Sequence, residues 1–353
     1  MSKTKLWLDV DPGHDDAMAI MLAIHSPELD LLGISTVHGN APAEHTHQNA
    51  CRLIYAFGGK EDLNAYPGAT KPLVRHARYD PEIHGEDGLG GVEGLPSSEH
   101  PAIRAKIDHG KHSRALEAMA STFRQVKESS HRLTVATCGP LTNLALLIST
   151  YPELLDVIER LVFMGGGVGM GNRSSVAEWN ILCDPEAAQI VLDAPIEKVM
   201  IPINVTHTVI FDHLYHSLLL SPTSLPSFTN TLPEPETPLR HTLSTLLNFF
   251  AQSYREVFGF QNGPPLHDAL TIAYIVNPEL FTGTRYRVDV ELEGKHTVGE
   301  TVVDMWDYKK CDHTWGREGK NCIVTQSVDV EGFFELFLGC IDRCDDLSPL
   351  NRR

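Results

Sequence analysis

Four aspartates fall within eight residues near the N-terminus: Asp9, Asp11, Asp15 and Asp16, in the run Leu6-Trp7-Leu8-Asp9-Val10-Asp11-Pro12-Gly13-His14-Asp15-Asp16. Carboxylates this dense repel one another, and at an effective dielectric of ~20 a close pair costs a few kcal/mol. An apolar run precedes the cluster and an apolar helical pattern, residues 17–23, follows it. That places the carboxylates at the carboxyl end of a buried strand, where α/β proteins build their sites. Oxygen ligands of this kind fit a hard divalent cation. The plainer alternative is a solvated turn with Asp15 as a helix N-cap. It uses one carboxylate, or two with the helix dipole, and leaves Asp9 and Asp11 unexplained.

Other residues with chemical potential sit where further strands should end. Gly39 and Asn40 follow residues 31–37, Cys138-Gly139-Pro140 follow 133–137, and Gly165-Gly166-Gly167 follow 161–164. Asn172, Glu178 and Asn180 come next, and Asn204 follows 199–203. In a parallel sheet these ends share one edge, so amides, carboxylates and glycines that permit close approach converge on one crevice. The glycine run lacks a Lys-Ser/Thr partner and lies among acids, which argues against a phosphate loop. Glu178 and Asn180, spaced by two on an extended chain, would share a face and suit vicinal sugar hydroxyls. An ordinary polar approach to the Asp184-Pro185-Glu186 helix start remains the alternative. His267-Asp268 opens a last apolar helix. Capping alone would account for Asp268, whereas His267 could supply a donor near a metal-binding carboxylate.

The elements needed to position these groups can be read from periodicity. Strand-type runs at 6–10, 31–37, 133–137, 161–164 and 199–203 alternate with helical patterns at 43–57, 113–127, 142–148, 185–192 and 207–220. Such alternation predicts an α/β fold: a mostly parallel, Rossmann-like central sheet with helices on both faces. Helices are expected at 239–258, 268–275 and 331–344. The β-rich stretches 286–292, 297–303 and 322–328 read as a small C-terminal antiparallel appendage. We expect a single domain over 1–353, with flexible loops at about 75–101, 221–238 and 304–321. The 42% hydrophobic and 21% charged composition is that of a globular protein, and the net charge of −17 argues against a nucleic-acid surface. No run is long enough to span a membrane, and the first residues carry no signal-peptide pattern, so a cytoplasmic location is expected, with the nucleus a second compartment. The seven scattered cysteines read as reduced thiols.

The segment Asp9-Val10-Asp11-Pro12-Gly13-His14-Asp15-Asp16 resembles the signature of the nucleoside hydrolases, the inosine–uridine-preferring N-ribohydrolases. Further matches follow in order: Thr36 to Asn40, Ile83 to Glu86, Gly139 to Asn143, Met164 to Gly167, Ser175 to Ile181, Asp184 to Ala188, Thr206-His207 and His267-Asp268. The resemblance spans about residues 5–343 and is closest in character to fungal uridine ribohydrolases.

It implies Ca²⁺-dependent hydrolysis of a ribonucleoside to ribose and free base, uridine preferred, in nucleoside salvage. Asp11, Asp16, Asp268 and the backbone carbonyl of Cys138 would hold the Ca²⁺, with Asp9 behind them. The family usually has Thr where this chain has Cys138, a change a backbone ligand tolerates. Asp15, Asn40, Asn172, Glu178 and Asn180 would hold the ribose, with Met164 packing nearby. Asp11 would be the general base, and His267, helped by Tyr254, would serve the leaving base, with His84 closing over it. A homodimer or homotetramer is expected, with no nucleic-acid polymer and no membrane as partner. Two other readings stay open: a haloacid dehalogenase-type phosphatase, which would want Thr or Val where this chain has Gly13, and a non-catalytic nucleoside-binding protein on the same fold.

Overall fold

The first strand, β1 (Thr4–Val10), sends Leu6, Leu8 and Val10 into one apolar core and Trp7 into another. That two-residue period is what a strand buried on both faces requires. The computed structural model describes residues 3–223 and 231–352. Part of the expected 221–238 connection lies outside the described residues.

Among the described residues nine further strands follow: β2 (Leu29–Thr36), β3 (Ala65–Pro67), β4 (Leu133–Thr137), β5 (Ile158–Met164), β6 (Glu197–Ile201), β7 (Phe281–Tyr286), β8 (Val288–Val290), β9 (Thr301–Val303) and β10 (Cys322–Val328). Eight of the ten form one sheet in the order β3-β2-β1-β4-β5-β6-β10-β7, and β8 and β9 pair separately as an antiparallel ribbon. Every pairing in the large sheet is parallel except β10 with β7. Helices His14–His25, Ala43–Ala56, Pro238–Phe258, Ala269–Val276 and Val330–Leu347 bury their apolar faces in the core that receives Leu6. Helices Ala115–Glu128, Thr142–Thr150 and Pro185–Asp193 cover the opposite face around Trp7. Strand order reverses between β1 and β4, so the crevice beyond their carboxyl ends is the place for a ligand.

Three local expectations change. The segment 322–328 is a strand, but β10 pairs parallel to β6 and so extends the main sheet; only β8 and β9 form the appendage. The helix expected over 207–220 begins at His213, because the Asp212 carboxylate accepts from Leu214 N at 2.9 Å and Tyr215 N at 3.2 Å and caps it there. The strand expected over 286–292 breaks at Arg287, whose guanidinium pairs with Asp289 and Asp193. All seven cysteines are free. Among the described residues, no helix is long and apolar enough to cross a membrane.

The polar 304–321 segment leaves Trp306 and Tyr308 exposed, yet it is anchored at its far end. Lys198, fully buried on β6, donates to the carbonyls of Ala194, Ile196 and Trp315, and the Arg285 guanidinium lies 3.6 Å from the centroid of the Trp315 ring. Lys198→Met removes donors from three carbonyls. We expect a loss of about 2 kcal/mol in urea unfolding, together with faster proteolysis confined to 304–321.

Candidate active site

The carboxylates arrive at the crevice by local necessity. Asp9 is the last inward residue of β1 on the Trp7 face, and its Oδ1 accepts from Asn143 Nδ2 at 2.7 Å and from the Ser35 hydroxyl. The chain then turns through Pro12 and Gly13 into helix His14–His25. Within that turn Asp16 folds back, Oδ1 accepting from Asp11 N at 3.1 Å and Oδ2 from Gly13 N at 3.0 Å and Asn40 Nδ2 at 3.1 Å. Asp11 Oδ2 accepts from Asn40 N at 2.8 Å. Glycines make room for it: a Cβ on Gly39 would lie 2.0 Å from Asp11 Oδ2, and one on Gly139 would lie 2.5 Å from Asp11 Oδ1.

Asp268 comes from the other side, at the start of helix Ala269–Val276. Its side chain makes no capping bond, so the plain capping reading does not account for it. It joins Asp15 and Asp16 in a buried group whose carboxylate oxygens lie within 4.8 Å of one another. Asp11 stands beside this group rather than in it.

Burial and mutual repulsion push these carboxyls up. Asp9 rises to about 7, Asp15 to about 8 and Asp16 to about 6, burial being the largest cause in each, while Asp11 and Asp268 rise well above their ordinary value for the same reasons. Asp9 Oδ2, Asp11 Oδ1 and Asp15 Oδ1 are buried without a hydrogen-bond partner. Buried hard oxygens without partners, on carboxylates in and next to the close group of Asp15, Asp16 and Asp268, are donors that fit a divalent cation.

Above the cluster lies a cavity. Of the residues singled out from the sequence, Asp15, Asn40, His84, Cys138, Met164, Asn172, Glu178, Asn180, Tyr254, His267 and Asp268 all line it, while Asp11 and Asp16 are buried outside its lining. Glu178 and Asn180 do not lie on an extended chain. Glu178 is the N-cap of helix Trp179–Cys183, accepting from Asn180 N at 2.9 Å, Ile181 N at 3.2 Å and Gly166 N at 2.8 Å. Burial raises its carboxyl to about 7. Asn180 Nδ2 donates to the carbonyl of Cys138 at 2.7 Å and that of Met164 at 3.2 Å. The Cys138 thiol points elsewhere, 3.3 Å from Thr271 Oγ1. Asn172 Oδ1 is buried and unpartnered.

His267 is held at both ring nitrogens, Nδ1 by Thr206 Oγ1 at 2.7 Å and Nε2 by Tyr254 Oη at 2.7 Å. Burial lowers its pKa well below the ordinary value, so the ring is neutral. His84 ends a short helix, Pro81–His84, and is buried against His14 and Phe250. Sequence reasoning did not single out Asp80, Arg173 or Phe258 in the lining, and it gave no role to Ile83, Trp179 or Thr206, although all three lie in matched segments. Trp179 carried a signal, lying between two singled-out residues. Ile83 and Arg173 adjoin His84 and Asn172 in the same way, whereas Asp80, Phe258 and Thr206 enter through contacts between distant segments.

A family model described as inosine-uridine preferring nucleoside hydrolase matches residues 6–335. The pyrimidine-specific ribonucleoside hydrolase RihA of Escherichia coli is 39% identical over 330 residues, which cover 93% of this chain and 95% of that one. The solved structure of a purine-preferring ribonucleoside hydrolase from Gardnerella vaginalis superimposes with a TM-score of 0.82 at 26% identity, covering 98% of this chain and 100% of that one. The plant nucleoside hydrolase PpNRh1 gives 0.78 at 28% identity, covering 96% and 98%.

The raised carboxyls set a pH dependence. Their protonated forms are favoured by the fold, so the stability they contribute is complete below the ordinary value near 3.8 and is lost as pH rises through about 6 to 8. The melting temperature of chelator-treated protein should therefore fall between pH 5 and pH 8, and a millimolar divalent cation at pH 8 should restore it. Differential scanning calorimetry at the two pH values, with and without cation, checks both signs.

Proposed function

The chain belongs to the inosine-uridine preferring nucleoside hydrolase family, and we propose that within it this protein is a Ca²⁺-dependent ribonucleoside hydrolase that prefers uridine and serves nucleoside salvage. Membership displaces the phosphatase alternative and makes the protein an enzyme. The observation that carries the proposal is the group of buried, partly unpartnered carboxylates beneath a cavity lined by Asn40, Asn172, Glu178 and Asn180.

Asp11, Asp16, Asp268 and the Cys138 carbonyl would hold the Ca²⁺, which when bound supplies a Lewis acid for the attacking water. The fit rests on the oxygen donors themselves and on the free Oδ1 of Asp11. Asp11 takes the proton from water as its oxygen attacks the anomeric carbon of the ribose. Asp15 and the cavity amides hold the ribose hydroxyls, and the surrounding carboxylates favour the positive charge that develops on the ribosyl ring.

The N-glycosidic bond breaks with its electron pair going to the base, which needs a proton or a donor. A consistent chain of hydrogen bonds supplies one. The Thr206 hydroxyl donates to His267 Nδ1, and Nε2–H donates to Tyr254 Oη, which leaves the Tyr254 hydroxyl proton free for the base. The two contacts fit either tautomer, and the need for a donor at the departing base selects this one. His267 therefore acts through Tyr254, while His84 also lines the cavity.

A pyrimidine leaving group has no imidazole nitrogen to protonate and gains most from a donor at its carbonyl oxygens. The pyrimidine-specific name of RihA, at 39% identity, supports the same preference. Cytoplasmic placement and a homodimeric or homotetrameric assembly complete the proposal.

Asp11→Ala should keep its fold by circular dichroism and lower ribose release by about 10³-fold or more. Near-normal release in that variant would reject Asp11 as the base. Measured as kcat/KM, uridine should exceed cytidine, inosine and adenosine, and deoxyuridine should be poor because a ribose hydroxyl is missing. His267→Ala should slow uridine turnover by about 10²-fold. A tenfold preference of the wild type for inosine would overturn the uridine assignment alone.

A further inference from the structure

The lining of the cavity is rich in carboxylates, yet among the described residues it includes one permanent cation, Arg173. That guanidinium is not directed at the aspartate cluster. It grips Asp80 with two parallel bonds, Nε to Oδ2 at 2.9 Å and Nη2 to Oδ1, and Nη1 lies 3.5 Å from Glu82 Oε2. Its Cζ lies 5.4 Å from the centroid of the Phe258 ring. The side chains of Arg173 and Asp80 are only 18% and 9% exposed, so the pair is largely withdrawn from solvent. Bidentate geometry at low exposure makes a firm, directional contact. Neither residue has a part in the hydrolytic steps.

The contact joins chain segments that carry substrate-facing residues. Asp80 heads the helix Pro81–His84: its carbonyl accepts from His84 N at 3.0 Å, and its own N–H donates to the Asn40 carbonyl at 3.2 Å. Arg173 follows Asn172, whose buried Oδ1 has no partner. Phe258 packs on Tyr254 one turn back along its helix, ring centroids 5.0 Å apart. The sequence separation of 93 between Asp80 and Arg173 means that no local structure sets their spacing.

We propose that Arg173 is a positioning residue for the substrate. By clasping Asp80 across Phe258, it fixes the segment bearing His84, and through the Asp80 N–H the backbone at Asn40, against the loop bearing Asn172, so that the ribose and the base are held together. The assignment of those substrate parts rests on the nucleoside-hydrolase reading.

The test uses the full chain with Arg173→Met, Asp80→Asn, the double variant and Arg173→Lys. Uridine kinetics should show KM raised about tenfold in each of the first two, with kcat changed less than threefold. The double variant should be no worse than either single one, because the two residues act through one contact. Arg173→Lys keeps the charge but not the paired donors and should fall between wild type and Met. Hydrogen exchange without substrate should quicken at residues 80–90 and 170–178 in both single variants and stay unchanged in the central strands.

An unchanged KM in folded Arg173→Met, additive losses in the double variant, or unchanged exchange in both segments would each overturn the clasp. If Arg173→Met does not fold, Arg173→Lys and Asp80→Asn decide by the same measurements. A wild-type protein that releases no ribose from any nucleoside would sink the hydrolase reading, while the exchange pattern would still decide the clasp.

Discussion

Burying several carboxylates at one end of a sheet is the constraint from which the rest of this structure follows. Each ionised group removed from water needs donors or a counter-charge, and each also repels its neighbours. The fold meets part of that need with backbone N–H groups at strand ends and helix starts. Asp16 takes those of Asp11 and Gly13, and Asp11 takes that of Asn40. Asp9 is satisfied at one oxygen from β2 and from helix Thr142–Thr150. The close approach of Gly39 and Gly139 to Asp11 follows from the same crowding, because any side chain there would overlap the carboxylate. Among these carboxylates Asp9, Asp11 and Asp15 each keep one oxygen without a partner, and Asp15, Asp16 and Asp268 stand close enough together to share a divalent cation.

The other polar groups divide the space above that cluster. Glu178 spends both oxygens on N–H groups that start helix Trp179–Cys183, which fixes Asn180 against the Cys138 and Met164 carbonyls. Its polarity serves the geometry of its neighbours as much as contact with a sugar. His267 is braced from both sides, so its ring cannot rotate without breaking two bonds. The arginine of the lining is neutralised by Asp80. A free guanidinium beside Asp15 would compete with a cation for the same oxygens. Pairing Arg173 elsewhere keeps the cluster open while still using the charge to hold segments together.

Residues 75–101 illustrate how context overrides composition. Their glycines and prolines predict a mobile loop, yet Ile83, His84 and Leu89 are buried, and Arg75 reaches across to Glu186 at 2.7 Å. Apolar anchors spaced along an irregular segment suffice to dock it when complementary surfaces lie beneath.

The amino-acid sequence by itself determined the alternating strands and helices and the aspartate cluster at the end of β1. Those features rest on local periodicity and on a strand–turn–helix unit, which a chain specifies over a few residues. It also marked Asn40 by its place after a strand, Glu178 and Asn180 by their spacing, and His267 by its place at the start of a helix. Only the tertiary structure decided that β10 lies parallel to β6, that Thr206 and Tyr254 brace His267, and that Arg173 closes on Asp80. Each of these depends on which distant segments become neighbours. That choice is made by packing two apolar cores against one sheet, and no local pattern of residues encodes it.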